Sequence, residues 1–525
     1  MPHPSPRLVR ALLALMMVLY VGQGLFYSRT LVSTEGEESY LALGYLLVRG
    51  EISLYQDEIT GQRLPLPFYV LGASQVPFGP DLWVGRLLSL ALGAIVLGLT
   101  VVVARRIGGP GAGLLAGFLL STQGAIVAYY ATASYDSLSA LILMAAVWIL
   151  LREEWTWRYP AGIAVASILS LTRTTMMPAV PFVFVWAWLG CRTLAQRAMV
   201  VLVTAAPPVA FLLWDPTHLK LLAHVPLLGG LVEPLGYRSI LYFQAVTQVD
   251  LFTQVWSLVR FARRFESWVL AGVGIVAAAV FLRRRDRRAG RSGWALAAVA
   301  GLAAWLLLWH FLMFRLNFKW AIAYFPSFAP LVAVVLGVAA VGLWERPDLP
   351  RAGRAVLAAT LAGSLVVSVL LIRIPMIPTP VPLPFCDDPV QQISRAAVRL
   401  ERLVPAGERL FFFGPAMAVH LAGRRPYLQQ LMAPGTFVDN DSDRRAVERS
   451  GVWGRAEIER WLGQEARYAV VNPAHLDAYA AAGRAEGVAR IRALLQERFE
   501  PVGRIDDAYW SILEVYRRRA EPVRR

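Results

Sequence analysis

Runs of apolar residues, each closed by arginine, glycine or proline, alternate with short polar stretches along the first 374 residues. A helix needs about 20 apolar residues to cross a ~30 Å hydrocarbon core. The runs predict about eleven transmembrane helices, near 8–27, 81–103, 110–129, 135–151, 159–173, 177–191, 197–214, 266–282, 293–314, 319–344 and 355–374. Glycine or proline near 110–129 and 159–173 leaves the limits of those two open. Two long polar-side segments interrupt the series, 28–80 and 215–265.

The pattern changes after residue 374. Pro375, Pro378, Pro380, Pro382 and Pro384 make 375–388 a stiff linker. Beyond it, 389–525 reads as a small α/β domain. A helix is expected over 389–404, a buried strand over 409–413 ending at Gly414 and Pro415, a helix over 456–462, a strand over 468–471 and a last strand over 509–515. The expected division is a membrane domain over 1–374, the linker, and this second domain.

Composition agrees with a membrane protein: 57% of the 525 residues are hydrophobic, more than a soluble domain can hide. The formal net charge of +16 comes almost wholly from arginine, since lysine occurs only at 220 and 319. The arginines cluster between apolar runs, at 105–106, 152–158, 192–197, 283–291 and 346–354. That is the positive-inside pattern. It puts the N-terminus and these loops in the cytoplasm, and it removes nucleic acid as a partner. An odd number of spans then leaves the C-terminal domain outside the cytoplasm, and the first run reads as an uncleaved helix. Cys191 and Cys386 fall on opposite sides of the membrane and are not expected to pair.

Candidate chemistry collects at the outer helix ends. Glu35, Glu37 and Glu38 follow the first span, and the apolar stretch 41–48 after them is too short to cross, so interfacial helices are expected in this first outer loop. The acids can equally be a solvated turn. Asp136 stands at the outer end of an apolar run, where a carboxylate costs a few kcal/mol unless paired or wet; it can be a helix N-cap, a functional acid, or both. Arg63, Arg173, Arg315 and Lys319 are outer cations against the positive-inside trend. They can snorkel to headgroups, or hold a phosphate.

Several segments in order resemble the C-type membrane glycosyltransferases, relatives of the protein O-mannosyltransferases and aminoarabinose transferases. Glu37-Glu38-Ser39-Tyr40 is similar to the Asp-Glu-x-x-Tyr opening of that family's first outer loop, and 62–68 to its Glu-Lys-Pro-Pro-Leu-x-Tyr segment. Gly85-Arg86-Leu87 resembles its Ala-Arg-Leu start of the second helix, Leu171-Thr172-Arg173 its Leu-Thr-Lys, and Tyr324-Phe325-Pro326 its Tyr-Leu-x-Pro. Asp136 sits where the family has its second acid. Glu37 replaces the leading aspartate, and Gln62 and Arg63 replace a glutamate and a lysine, so metal dependence is in question.

The resemblance implies inverting transfer of a sugar from a polyprenyl-phosphate carrier to an acceptor hydroxyl of a protein, lipid or glycan, at the outer face of the cytoplasmic membrane. Glu37 would be the general base, with Glu35 or Glu38 as second choices. Asp136 would position the acceptor or a divalent cation (Mg or Mn, with Glu37 as the other ligand), and Arg63, Arg173, Arg315 and Lys319 would hold the carrier phosphate. A transporter or flippase, or a polymerase or ligase of lipid-linked glycans, are the rival readings. The second outer segment, with Asp215, His218, Lys220, His224 and Arg238, keeps the polymerase reading open.

Overall fold

A computed structural model of the chain describes residues 5–31, 35–54, 64–214, 256, 259, 265–281, 291–313, 324–370, 388–414, 416–432, 453–506 and 512–520. Arg63, Arg315 and Lys319, together with Gln62, Cys386, the basic loop 282–290, nearly all of 215–265 and the linker to residue 387, lie outside them.

The first part is a bundle of α1 (Pro6–Thr30), α2 (Glu35–Val48), α3 (Leu66–Gln75), α4 (Leu82–Ser121), α5 (Gly124–Tyr130), α6 (Tyr135–Leu150), α7 (Arg158–Ser167), α8 (Ala179–Gly190), α9 (Leu194–Trp214), α10 (Glu266–Val280), α11 (Arg291–Met313), α12 (Ala329–Trp344) and α13 (Arg351–Leu370). Among the described residues, α1, α4, α9 and the 293–310 part of α11 are long and apolar enough to cross a membrane. The pair α5 and α6, bent by 103° at its break, adds one more if taken as a single span. Helix α4 covers two expected spans. Gly109, at φ +82°, and Pro110 break it beside Arg105 and Arg106, because glycine tolerates the left-handed backbone and proline lacks the N–H to continue the ladder. In the described part of the expected run 319–344, a 3-10 turn at Phe325–Ser327 containing Pro326 precedes α12, which starts at Ala329. Helix α12 lies along α4 so closely that a Cβ on Gly337 would sit 2.9 Å from the Ala112 carbonyl oxygen.

The second part holds a four-stranded sheet, β1 (Leu410–Phe413), β2 (Tyr468–Val471), β3 (Phe499–Ile505) and β4 (Leu513–Arg518), in the order β1-β2-β4-β3. Strands β1 and β2 are parallel, and β4 runs antiparallel to both β2 and β3. The first helix here, α14 (Pro389–Leu403), is capped by Asp388, whose side chain accepts from Val390 N–H at 2.9 Å. Its buried Ile393, Ala396, Ala397 and Leu400 form one stripe at helical spacing. Alternation along β1 sends Leu410 and Phe412 to the face covered by α14. Phe411 and Phe413 go to a second core with Trp453, Trp461 and α15 (Ala485–Arg498). The last strand starts later than expected, at Leu513. Strand β3 was not anticipated because Pro501 and Gly503 interrupt its alternation; they sit at a register shift on the sheet's edge.

Helix α2 packs into the protein. Tyr40, Leu41, Ala42 and Leu43 are buried, and their core is continuous with Phe68 of α3 and with Ile393, Leu400, Phe412 and Met417 of the second part.

Candidate active site

The acids after α1 are set by α2, and α2 is set by α3. The two helices cross with backbones in contact: a Cβ on Gly72 would lie 2.1 Å from the Gly44 carbonyl oxygen, and one on Gly44 would lie 2.4 Å from that of Phe68. Only glycine permits that approach.

Glu37 turns into the bundle and meets Arg86, from the first turns of α4. Both side chains are fully buried. Arg86 Nε and Nη2 donate to Glu37 Oε1 and Oε2, each at 2.8 Å. Arg86 Nη1 donates to the carbonyls of Ser28 and Leu31, both at 2.7 Å, closing the C-terminal end of α1. Glu37 Oε1 also accepts from Ala133 N–H at 2.7 Å. This bidentate pair therefore ties together α1, α2, α4 and the turn that leads into α6. A buried charge needs such pairing and hydrogen bonding to be tolerated.

That turn aims Asp136. Its Oδ2 accepts from Ser134 Oγ at 3.0 Å and its Oδ1 from Ser327 Oγ at 2.8 Å, and the residue is 1% exposed. Ser134 caps α6 by accepting from Asp136 N–H, and the carboxylate at the helix N-terminus is favoured by the dipole.

Arg173 Nη1 approaches Asp136 Oδ1 at 3.8 Å, within ion-pair range and too long for a hydrogen bond. The guanidinium lies between two aromatic faces, 3.6 Å from the ring centroids of Tyr135 and of Tyr324. Two such contacts fix the plane of the cation. Arg173 Nη1 is buried and donates no hydrogen bond among the described residues. It is a rigidly held cationic donor with hydrogen-bonding capacity to spare.

Glu38 faces the other way. Its Oε2 accepts from Ala416 N–H at 2.6 Å, in the turn after β1. Thus Glu37, Asp136 and Arg173 fall in one contiguous network, and Glu38 belongs to the contact with the second part. Sequence reasoning did not single out Arg86 as a site residue, although an arginine within an apolar span demands a partner. It also passed over Tyr135 and Tyr324, whose aromatic character alone carries no signal, and Ser327.

Among the described residues no three His, Cys, Asp or Glu side chains converge as a metal-binding group. Among the described residues Glu37 and Asp136 are two carboxylates with no third acidic, histidine or cysteine side chain converging on them, a donor set that does not fit a divalent cation.

No family model matches the chain, and no curated protein matches it significantly. Solved structures do. ArnT from Cupriavidus metallidurans, in a crystal structure bound to undecaprenyl phosphate, superposes with a TM-score of 0.57 at 13% identity, covering 98% of each chain. The apo oligosaccharyltransferase of Archaeoglobus fulgidus gives 0.55 at 12% identity, over 95% of this chain and 73% of that one. The mycobacterial arabinofuranosyltransferase AftD gives 0.52 at 14% identity, over 99% and 40%. At these identities the likeness is one of fold. The chain shares the fold of these three proteins.

Proposed function

We propose that this protein moves a sugar from a polyprenyl-phosphate carrier to an acceptor hydroxyl at the outer face of the cytoplasmic membrane, with inversion. The membrane domain would cross about eleven times from a cytoplasmic N-terminus, and the C-terminal domain would lie outside. The observation that carries this reading is Arg173, a guanidinium clamped between Tyr135 and Tyr324 whose buried Nη1 has a donor to spare. Such a cation suits the charge that develops on a lipid-phosphate leaving group.

Inversion in one displacement needs base and leaving group on opposite faces of the sugar. Asp136 touches Arg173, on the phosphate side, so its role is to hold that cation in place. The base falls to Glu37, on a different helix and fixed by Arg86. Glu37 takes the acceptor proton as the acceptor oxygen attacks the anomeric carbon, and the carrier phosphate leaves toward Arg173. The donor set around Glu37 and Asp136 does not fit a metal ion, and no step is routed through one.

The direct test supplies membranes carrying the purified protein with labelled polyprenyl-phosphate hexoses and pentoses. Label should leave the carrier with the protein present and stay on it without the protein. Arg173→Ala should weaken carrier binding about 10- to 100-fold, as loss of a charge-assisted contact does; an unchanged carrier affinity would remove Arg173 from the phosphate site. Asp136→Asn should give a smaller loss of the same kind, because the amide keeps the Ser327 contact and drops the charge beside Arg173.

A further inference from the structure

The consecutive carboxylates of α2 engage different parts of the molecule. Neighbouring residues on a helix point about 100° apart. Glu37 is gripped by Arg86 and Ala133 of the bundle, and Glu38 by Ala416 of the second part. The second contact is not a stray surface bond. Glu38 is 4% exposed, and Ala416 is 1% exposed. Around them one apolar core joins α2 to the sheet domain, with Leu41, Leu43 and Leu47 on one side and Met417, Val419 and Leu431 on the other. His420, in the helix after Ala416, stands edge-on to Tyr45 with ring centroids 5.9 Å apart. Burial pushes its imidazole down to about 4, so this contact is neutral near pH 7. At the far end of α2, Glu51 pairs with Arg425 of the sheet domain.

We propose that Glu38 is a positioning residue: by accepting the Ala416 N–H it lets the C-terminal domain hold α2, and so hold Glu37, in register with the bundle. This rests on the glycosyltransferase reading given above. The outer domain is then part of the catalytic apparatus through α2, without itself touching the reacting atoms. The role asks of Glu38 only an acceptor oxygen. It asks for no negative charge and no proton transfer, which sets it apart from a base or a metal ligand.

Three variants of the full-length protein test this, read by amide exchange at Ala416 and by steady-state transfer. Glu38→Gln keeps an acceptor oxygen and should retain Ala416 protection and kcat within about threefold. Glu38→Ala should lose both, with kcat down at least about tenfold and donor KM unchanged, as expected when a reacting group is misplaced and the carrier site is intact. Ala416→Pro removes the donor at a backbone φ of −72° that proline accepts, and should match Glu38→Ala. If the proline variant fails to fold, the glutamine and alanine pair decides alone. The proposal is overturned if Glu38→Gln is as inactive as Glu38→Ala while Ala416 stays protected, or if Glu38→Ala keeps wild-type kcat. A wild-type protein that transfers no sugar from any polyprenyl phosphate sinks the glycosyltransferase reading, and exchange at Ala416 still reports whether the docking bond exists.

Discussion

Glu37→Gln is expected to lower turnover about 10²- to 10⁴-fold, the usual contribution of a positioned general base. Carrier binding should survive, because the glutamine carbonyl can still accept from Ala133 N–H and so keep the turn before α6, while the Tyr135 and Tyr324 rings hold Arg173. The glutamine amide can still accept one bond from Arg86 in place of two. Some stability is lost with the second bond, about 1.5–3 kcal/mol for a hydrogen bond to a charged group. Turnover must therefore be measured on protein shown to be monodisperse and folded, with carrier affinity measured in the same sample. Wild-type turnover in such a sample removes Glu37 from the chemistry.

Arg86→Ala is expected to destabilise the protein strongly. It strands the Glu37 carboxylate, fully buried, and frees the Ser28 and Leu31 carbonyls at the end of α1. Breaking a buried pair from one side costs about 3–5 kcal/mol. Thermal unfolding in detergent or nanodiscs should show a large drop in midpoint. Replacing both partners with apolar residues, Glu37→Leu with Arg86→Met, should restore much of the stability, since a well-packed apolar pair often matches a buried ion pair. The double variant should remain unable to transfer sugar. A double variant no more stable than Arg86→Ala would mean that the pair is not the main tie between α1, α2 and α4.

The bundle was largely legible in the sequence because apolar runs and arginine-rich breaks are physical requirements of a bilayer. What was not legible came from breaks inside runs. Thr122 and Gln123 divide 110–129, and the turn before Asp136 bends the next helix by 103°; neither carries a charge to announce it. The sheet domain was read from the four-residue apolar runs at 410–413 and 468–471. Edge strand β3 escaped because its proline and glycine spoil the period. Single ionisable residues stood out against apolar surroundings, which is why Glu37, Asp136 and Arg173, joined in one network in the structure, could be picked out as candidates. Their partners were harder to find, because Arg86 meets Glu37 across 49 residues of chain and Ser327 meets Asp136 across 191. Sequence separation of that size leaves no local pattern. Glu38 read as a chemical group because its neighbour did, and only its contact with Ala416 separates the two.

The backbone contact between Gly44 and Gly72 also limits what the pair α2 and α3 can accept. The two backbones touch there with no room for a Cβ, and Tyr40 and Phe68 pack ring against ring beside them, 4.7 Å between centroids. A methyl group added at either glycine would wedge the helices apart and carry Glu37 and Glu38 away from their partners along with α2.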